Sequence, residues 1–124
     1  MGYIKLKRED VLFSRLIKYE HNWTCERCGA KHEIGSRGLH ASHFIGRSNG
    51  QVRWDRDNVD VLCYGCHQYM ETYKGTQYRE WKMKKLGKKR FQELVEKSRD
   101  IKKITKADKK ELASQFHQEL KKYE

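Results

Sequence analysis

The spacing of hydrophobic residues near the start of the chain predicts an N-terminal helix. Between residues 9 and 20, apolar side chains recur at i, i+1, i+4 and i+5, which places them on one helical face: Leu12, Phe13, Leu16 and Ile17. This helix is expected to lead through Trp23 into the first of two cysteine pairs. Its apolar face is expected to pack on a core.

The middle of the chain predicts a short hairpin followed by a helix. Residues 39–45 are expected to form a strand, and Ser48-Asn49-Gly50 within residues 46–50 is a strong turn signal. Val52–Trp54 is expected to return as the partner strand. Asn58–Leu62 then leads into the second cysteine pair, and a helix is expected to begin near Cys66.

The last fifty residues predict three helical segments. The first contains Tyr78, Trp81 and Met83–Leu86 and is interrupted at Gly87, and the second contains Phe91, Leu94 and Val95. The third begins near Thr105, where Thr105-x-x-Asp108 is similar to a capping box. Its apolar stripe consists of Leu112, Ala113, Phe116 and Leu120. We expect such stripes to be core or partner contacts, not catalytic features.

Length and composition indicate one small α+β unit. The chain has 124 residues, of which 36% are hydrophobic and 36% are charged, so its apolar core must be small and a metal would help to stabilise it. No apolar run is long enough to span a bilayer, and the N-terminus has no signal-peptide pattern. We therefore expect a soluble protein without membrane partners that stays in the compartment where it was made, the cytoplasm.

The four cysteines predict a structural zinc site. They form two Cys-x-x-Cys pairs, Cys25/Cys28 and Cys63/Cys66, separated by 34 residues. Four thiolates in two such pairs can form a tetrahedral shell around Zn²⁺. Two disulfides are the alternative, which the tight pairs and the missing signal peptide disfavour.

Positive charge is concentrated in the second part of the chain. The net charge is +11, and residues 1–73 carry 11 basic and 9 acidic side chains, whereas residues 74–124 carry 17 and 8. We therefore divide the chain into a core, 1–73, and a basic helical extension, 74–124, that packs on the core or projects from it. Nucleic acid is the natural partner of such an extension. The alternative is a solvated lysine-rich surface.

The histidines resemble those of a known nuclease family. His43, Asn58 and His67 have the order and spacing of the HNH nucleases, whose core is a ββα-metal (His-Me) finger. The stretch Asn58–His67 resembles that family's Asn…Leu-Cys-x-x-Cys-His signature, within a match that covers about residues 23–73. His43-Phe44-Ile45-Gly46-Arg47 is also similar to the phage recombination nucleases of the lambda NinG (Rap) type.

This resemblance implies a zinc-stapled finger with an N-terminal helix and a helical extension, acting as a metal-dependent DNA endonuclease in phage-type recombination. Branched DNA, including Holliday junctions, is the implied substrate. Symmetric cutting of two strands would require two active sites, hence a homodimer. The stripe of the third tail helix is one surface that could form it.

Elementary chemistry supports a role for His43. A neutral imidazole can take a proton from water near pH 7, which makes His43 the candidate general base. The resemblance implies that Asn58 holds the loop or orients this base. His67 is expected to bind a single catalytic Mg²⁺ or Mn²⁺ that polarises the phosphate and stabilises the leaving 3′ oxygen. Glu71, four residues after His67, projects from the same helix face.

The sequence departs from the family at Ser42, immediately before the base. Family members usually carry a metal-binding Asp, His or Glu at that position. His40 or Glu71 is expected to supply the missing ligand, or His67 binds the ion with water and substrate phosphate alone. A degenerate scaffold that binds DNA without cutting it is the alternative.

Other residues have two interpretations each. Arg47, Arg53 and Arg56 flank the predicted hairpin and are candidate phosphate contacts, since arginine suits bidentate phosphate binding, or they are solvated loop charges. His67 is a zinc ligand in one alternative, and Asn58 a simple turn residue. His40 and Glu71 need no role beyond packing or solvent exposure.

Overall fold

A computed structural model describes residues 5–124. Over this range the protein contains two strands and five α-helices, with a short π-helical segment, Lys74–Tyr78, between the second and third helices. The elements are α1 (Arg8–Glu20), β1 (Leu39–His43), β2 (Val59–Cys63), α2 (Tyr64–Thr72), α3 (Arg79–Leu86), α4 (Lys88–Ser98) and α5 (Lys106–Leu120). The result is a small α+β structure.

The sheet is a single antiparallel pair. Leu39 lies opposite Cys63, and His43 lies opposite Val59. The prediction that Val52–Trp54 forms the partner strand is wrong, because β2 occupies that position. Residues 51–54 form turns instead, with the Val52 side chain buried in a small cluster beside α4. The helix predicted near Cys66 begins at Tyr64.

The main core lies between α1, the sheet and α5. Phe13 of α1 packs against Phe116 of α5, with ring centroids 5.1 Å apart, and both side chains are buried with Leu120. The apolar stripe of α5 is therefore covered within the chain. The basic extension packs on the core, and this stripe is not available as a dimer surface.

Local sequence signals explain the boundaries of the tail helices. Gly87 has φ of 83°, a left-handed conformation that glycine adopts without strain, and it separates α3 from α4. The Thr105 hydroxyl accepts a hydrogen bond from the Asp108 backbone, while the Asp108 carboxylate accepts one from the Thr105 backbone. The predicted capping box is present and starts α5.

Within residues 5–124, the helices are too short or too polar for any of them to traverse a lipid bilayer.

Candidate active site

Four sulfurs converge where β2 meets α2. They belong to Cys25, Cys28, Cys63 and Cys66, and all lie within 4.8 Å of one another. The Sγ atoms of Cys28 and Cys63 are 3.8 Å apart, which is the separation that a tetrahedral ion with Zn–S bonds of about 2.3 Å requires. A disulfide would need about 2.05 Å, and all four cysteines are free. The cluster can therefore bind one zinc ion.

The thiols of this cluster differ in acidity. Burial opposes ionisation of Cys25, but backbone groups of Cys28, Cys63 and Arg27 outweigh it and lower the Cys25 pKa to about 7. Burial raises the pKa of Cys66 to about 12. The Arg27 guanidinium, whose Nη1 lies 3.4 Å from the sulfur, acts in the opposite direction and lowers this pKa. Because zinc binds thiolates, metal binding must displace a proton from Cys66 in particular.

A cleft of about 510 Å³ separates α1 from the sheet and the start of α2. Four side chains named in the sequence analysis line this cleft: His40 and His43 on β1, Arg47 in the turn after β1, and His67 on α2. Asp10, Ser14 and Lys18 belong to the opposite wall, on α1. The structure thus brings four of the predicted site residues into one cavity, whose lining also includes Arg15, Lys18 and Arg37.

His43 is oriented by the backbone of the turn opposite. Its Nε2 lies 2.9 Å from the Arg53 carbonyl oxygen, and since a carbonyl only accepts hydrogen bonds, Nε2 carries the proton and Nδ1 holds a lone pair. Burial lowers the pKa of His43 to about 4, although the Arg53 carbonyl opposes this shift. The imidazole is therefore neutral at pH 7, and it is a weaker base than an ordinary histidine.

Asn58 fastens the connection between the two strands. Its side chain is fully buried. Oδ1 accepts a hydrogen bond from the Ile45 backbone at 2.7 Å, and Nδ2 donates to the carbonyls of Ile45 and Val52 at 2.8 and 3.0 Å. Ile45 lies midway between His43 and Arg47, so Asn58 fixes the segment that carries both. Asn58 is therefore more than a simple turn residue.

His40 and His67 face each other through their Nδ1 atoms, which lie 2.9 Å apart. Two neighbouring ligands of an octahedral ion at about 2.1 Å are separated by about 3 Å, so the pair fits a divalent ion as well as an N–H···N hydrogen bond. Burial lowers the pKa of His67, with Glu71 opposing. The neutral form that binds metal is therefore favoured.

Glu71 lies on the other side of the His67 ring. Its Oε1 is 3.7 Å from His67 Nε2, and its Oε2 is 3.1 Å from the Lys74 ammonium. Across residues 5–124 the cysteine cluster is the one group of three or more metal-binding side chains that converges, so Glu71 is not assembled with His40 and His67 around one point. Its position suits an outer partner that orients His67. His67 also lies outside the sulfur cluster.

Ser42 points into the core. Its hydroxyl lies 3.1 Å from the Tyr78 hydroxyl, and both side chains are fully buried. Tyr78 in turn donates to Asp60 at 2.7 Å, on the strand opposite Ser42. The position before the base is thus part of the core packing.

A comparison with models of known protein families shows which family the chain belongs to. A family model described as the bacteriophage lambda NinG protein matches residues 7–124, which is nearly the whole chain. The chain belongs to the NinG family. Neither a curated protein nor a solved structure matches it. The predicted resemblance to NinG-type proteins is confirmed, and nuclease chemistry stays a prediction that rests on the cleft.

The three predicted phosphate contacts of this NinG-family chain have different surroundings. Arg53 pairs with Asp10 at 2.6 Å, and Arg56 pairs with Glu20 at 2.8 Å and with Glu119 at 3.3 Å. Within residues 5–124 Arg47 has no carboxylate partner, and its buried Nε has no hydrogen-bond partner. Of these three arginines, Arg47 is therefore the one free to meet an anion in the cleft, where Arg37 is a further arginine of the lining.

Sequence reasoning missed a buried ion pair. Lys82 Nζ lies 2.8 Å from both carboxylate oxygens of Asp60, and neither side chain is exposed. Lys85 reaches the same carboxylate at 2.6 Å. The spacing along the chain could have predicted the burial of Lys82 in this NinG-family chain. Lys82 follows Tyr78 by four residues, so the two side chains share one helix face.

Proposed function

We propose that this NinG-family protein is a metal-dependent DNA endonuclease that hydrolyses phosphodiester bonds during phage recombination. The observation that carries the proposal is the set of side chains that share a cleft with His43. A neutral imidazole, held at Nε2 by the Arg53 carbonyl, lines the same cleft as the His40–His67 pair and the unpaired Arg47. Strands β1 and β2 followed by α2 have the element order of a ββα-metal finger.

The proposed reaction is an in-line hydrolysis. His43 Nδ1 takes a proton from a water molecule while the water oxygen bonds to phosphorus, and the bond from phosphorus to the 3′ oxygen breaks. The 3′ oxygen takes up a proton from solvent, and His43 later returns its own. The products are a 5′-phosphate and a 3′-hydroxyl.

Residues around His43 have supporting roles in this proposal. The Arg53 carbonyl fixes the tautomer of His43, and Asn58 holds the turn that places His43 and Arg47 on the cleft. His40 and His67 would hold Mg²⁺ or Mn²⁺, which supplies Lewis-acid stabilisation of the phosphate and the leaving oxygen when bound. Arg47 would neutralise a non-bridging phosphate oxygen.

The net charge of +11 favours a nucleic-acid substrate. Membership of the NinG family favours a role in phage recombination, for which branched DNA, such as a Holliday junction, is the proposed substrate. Cutting two strands symmetrically requires two such clefts, so we propose a homodimer on that substrate. Its interface would lie outside the α5 stripe, which is covered within the chain.

A non-catalytic zinc-containing DNA-binding protein is the second candidate. One observation favours it: Ser42, at the position where HNH nucleases usually carry a metal ligand, is buried against Tyr78. In that case His40 and His67 share a hydrogen bond and bind no ion. Zinc, the basic extension and Arg47 would serve binding alone.

A cleavage assay separates the two candidates. Zinc-loaded protein is incubated with four-way junction and linear duplex DNA, with no added divalent ion, with Mg²⁺ and with Mn²⁺. The endonuclease predicts cleavage only with added ion and fragments that carry 5′-phosphate and 3′-hydroxyl ends. Tight binding without cleavage under all three conditions would favour the second candidate.

A further inference from the structure

A second cavity adjoins the cleft on the far side of Arg47. This side cavity, of about 420 Å³, lies between the turn that follows β1 and the connection from α4 to α5. Arg47 lines both cavities. The remaining cations on its wall are Arg53, Lys102, Lys103 and Lys109. We propose that the side cavity is a second phosphate-binding subsite, which takes a backbone phosphate of the DNA strand that passes through the cleft.

The walls of the side cavity are fastened to each other. Asn49 Nδ2 donates to the Ser98 carbonyl at 2.7 Å, and Gln51 Nε2 donates to the Lys102 carbonyl. Between them Gly50 packs against Ile104 so closely that a Cβ would lie 3.3 Å from Ile104 Cγ1. The segment with Lys102 and the turn with Arg47 therefore hold a fixed relative position, as a subsite aligned with the cleft requires.

The charges of the side cavity are mostly uncompensated. Within residues 5–124 Lys102, Lys103 and Lys109 have no carboxylate partner. Arg53 is neutralised by Asp10. Asp100 is the one acid on the wall, and its carboxylate accepts a hydrogen bond from the Lys102 backbone. With Arg47 included, four cations without an ion-pair partner among the described residues share the wall with the Asp100 carboxylate, and Asp108 interacts electrostatically with Lys102. The remaining excess of positive charge favours an anion.

Continuity with the cleft identifies the anion. Arg47 lines both cavities, so a chain of phosphates that runs from the cleft past Arg47 would enter the side cavity. A phosphodiester backbone supplies such a chain, whereas a single small anion would fill only one cavity. This inference rests on the proposed DNA substrate, but it concerns binding and not the chemistry of cleavage.

The test measures DNA affinity as a function of salt, without added divalent ion so that no cleavage intervenes. The test variant is K102Q/K103Q/K109Q. The matched control is K88Q/K89Q/K121Q, which removes the same number of exposed, unpaired lysines from helix ends elsewhere. Fluorescence anisotropy of zinc-loaded protein with duplex and junction DNA gives the slope of log K against log salt. Thermal unfolding checks that both variants fold.

The subsite predicts a weakening confined to the test variant. On duplex DNA the slope should become shallower by about 0.9 for each phosphate that the variant no longer neutralises, and affinity should fall well below that of the control. Equal small changes in both variants would overturn the inference, because the lysines would then act only through net charge. If the test variant binds weakly and the wild type never cleaves, the subsite stands and the proposed nuclease fails. If the wild type cleaves normally and the test variant binds DNA as the wild type does, the proposed nuclease stands and the subsite fails.

Discussion

The Nδ1 atoms of His40 and His67 lie 2.9 Å apart, although 26 residues separate the two histidines in the chain. His40 is the second residue of β1, and His67 lies in the first turn of α2. The cysteine cluster lies at the junction of β2 and α2, where a bound zinc ion would fix this helix against the sheet. A zinc ion bound by the four cysteines would therefore help to set the geometry of the His40–His67 pair.

Replacing His67 with Ala should weaken Mn²⁺ binding in the cleft at least tenfold, since outer-shell changes alone typically cost about 10–100-fold. Zinc content should not change, because the four thiolates remain. Calorimetric titration of Mn²⁺ into zinc-loaded protein measures the first effect, and elemental analysis measures the second. The exposed His117 provides a control as His117→Ala. Loss of zinc from His67→Ala would instead place His67 in the structural shell.

Replacing Cys63 with Ser should reduce the zinc content from about one ion per chain to near zero and unfold the region around the cluster, because metal binding and folding are coupled in small metal sites. Elemental analysis and circular dichroism check this, and the wild type treated with a chelator and then resupplied with zinc serves as the control. A folded, zinc-free wild type with two disulfides, shown by thiol titration, would contradict the assignment.

The Asp60–Lys82 pair should contribute strongly to stability. Lys82→Met leaves the buried Asp60 carboxylate with Lys85 and Tyr78 alone, so we expect unfolding to become easier by roughly 3 kcal/mol, the lower end for removing one partner of a buried ion pair. Lys84→Met, at an exposed position of the same helix, is the matched control. Denaturant unfolding measures both. Equal stabilities would show that Lys82 adds nothing to the core.

His43 should stay neutral, protonated at Nε2, from pH 7 down to about pH 5 and titrate near pH 4, because burial lowers its pKa from the ordinary 6.5 to about 4. Between pH 6.5 and pH 4, His43 binds fewer protons in the folded protein than in the unfolded chain. The free energy of unfolding should therefore decrease as the pH falls from 6.5 to 4. Imidazole nitrogen NMR reports the tautomer and the midpoint. A midpoint at 6.5 or above would contradict the geometry described for this ring.

Local signals in the sequence were enough to predict several elements. The apolar spacing of α1, the interruption at Gly87 and the capping box at Thr105 each depend on neighbouring residues, and each is present. The two Cys-x-x-Cys pairs converge as predicted, because their spacing suits one ion. The strand predicted at Val52–Trp54 failed, because a short apolar run is equally suited to a buried turn.

Contacts between residues far apart in the chain could not be predicted from the sequence. Arg53 and Arg56 pair with Asp10 and Glu20, which lie in α1 more than thirty residues away, and no local pattern marks such partners. Phe116 likewise packs on Phe13 across almost the whole chain. Deleting the chain from Thr105 onward would therefore remove part of the core, so weaker DNA binding in that truncation would not isolate the basic charge.

The central claim, that His43 is the general base of a nuclease, is tested most directly by the single-turnover cleavage rate of His43→Ala. The measurement uses zinc-loaded protein, saturating junction DNA and Mg²⁺ or Mn²⁺, with the wild type in parallel. We expect the rate to fall by about 10²–10⁴-fold while DNA affinity stays nearly unchanged, because affinity comes mainly from phosphate contacts. A near-normal cleavage rate in His43→Ala would contradict the account.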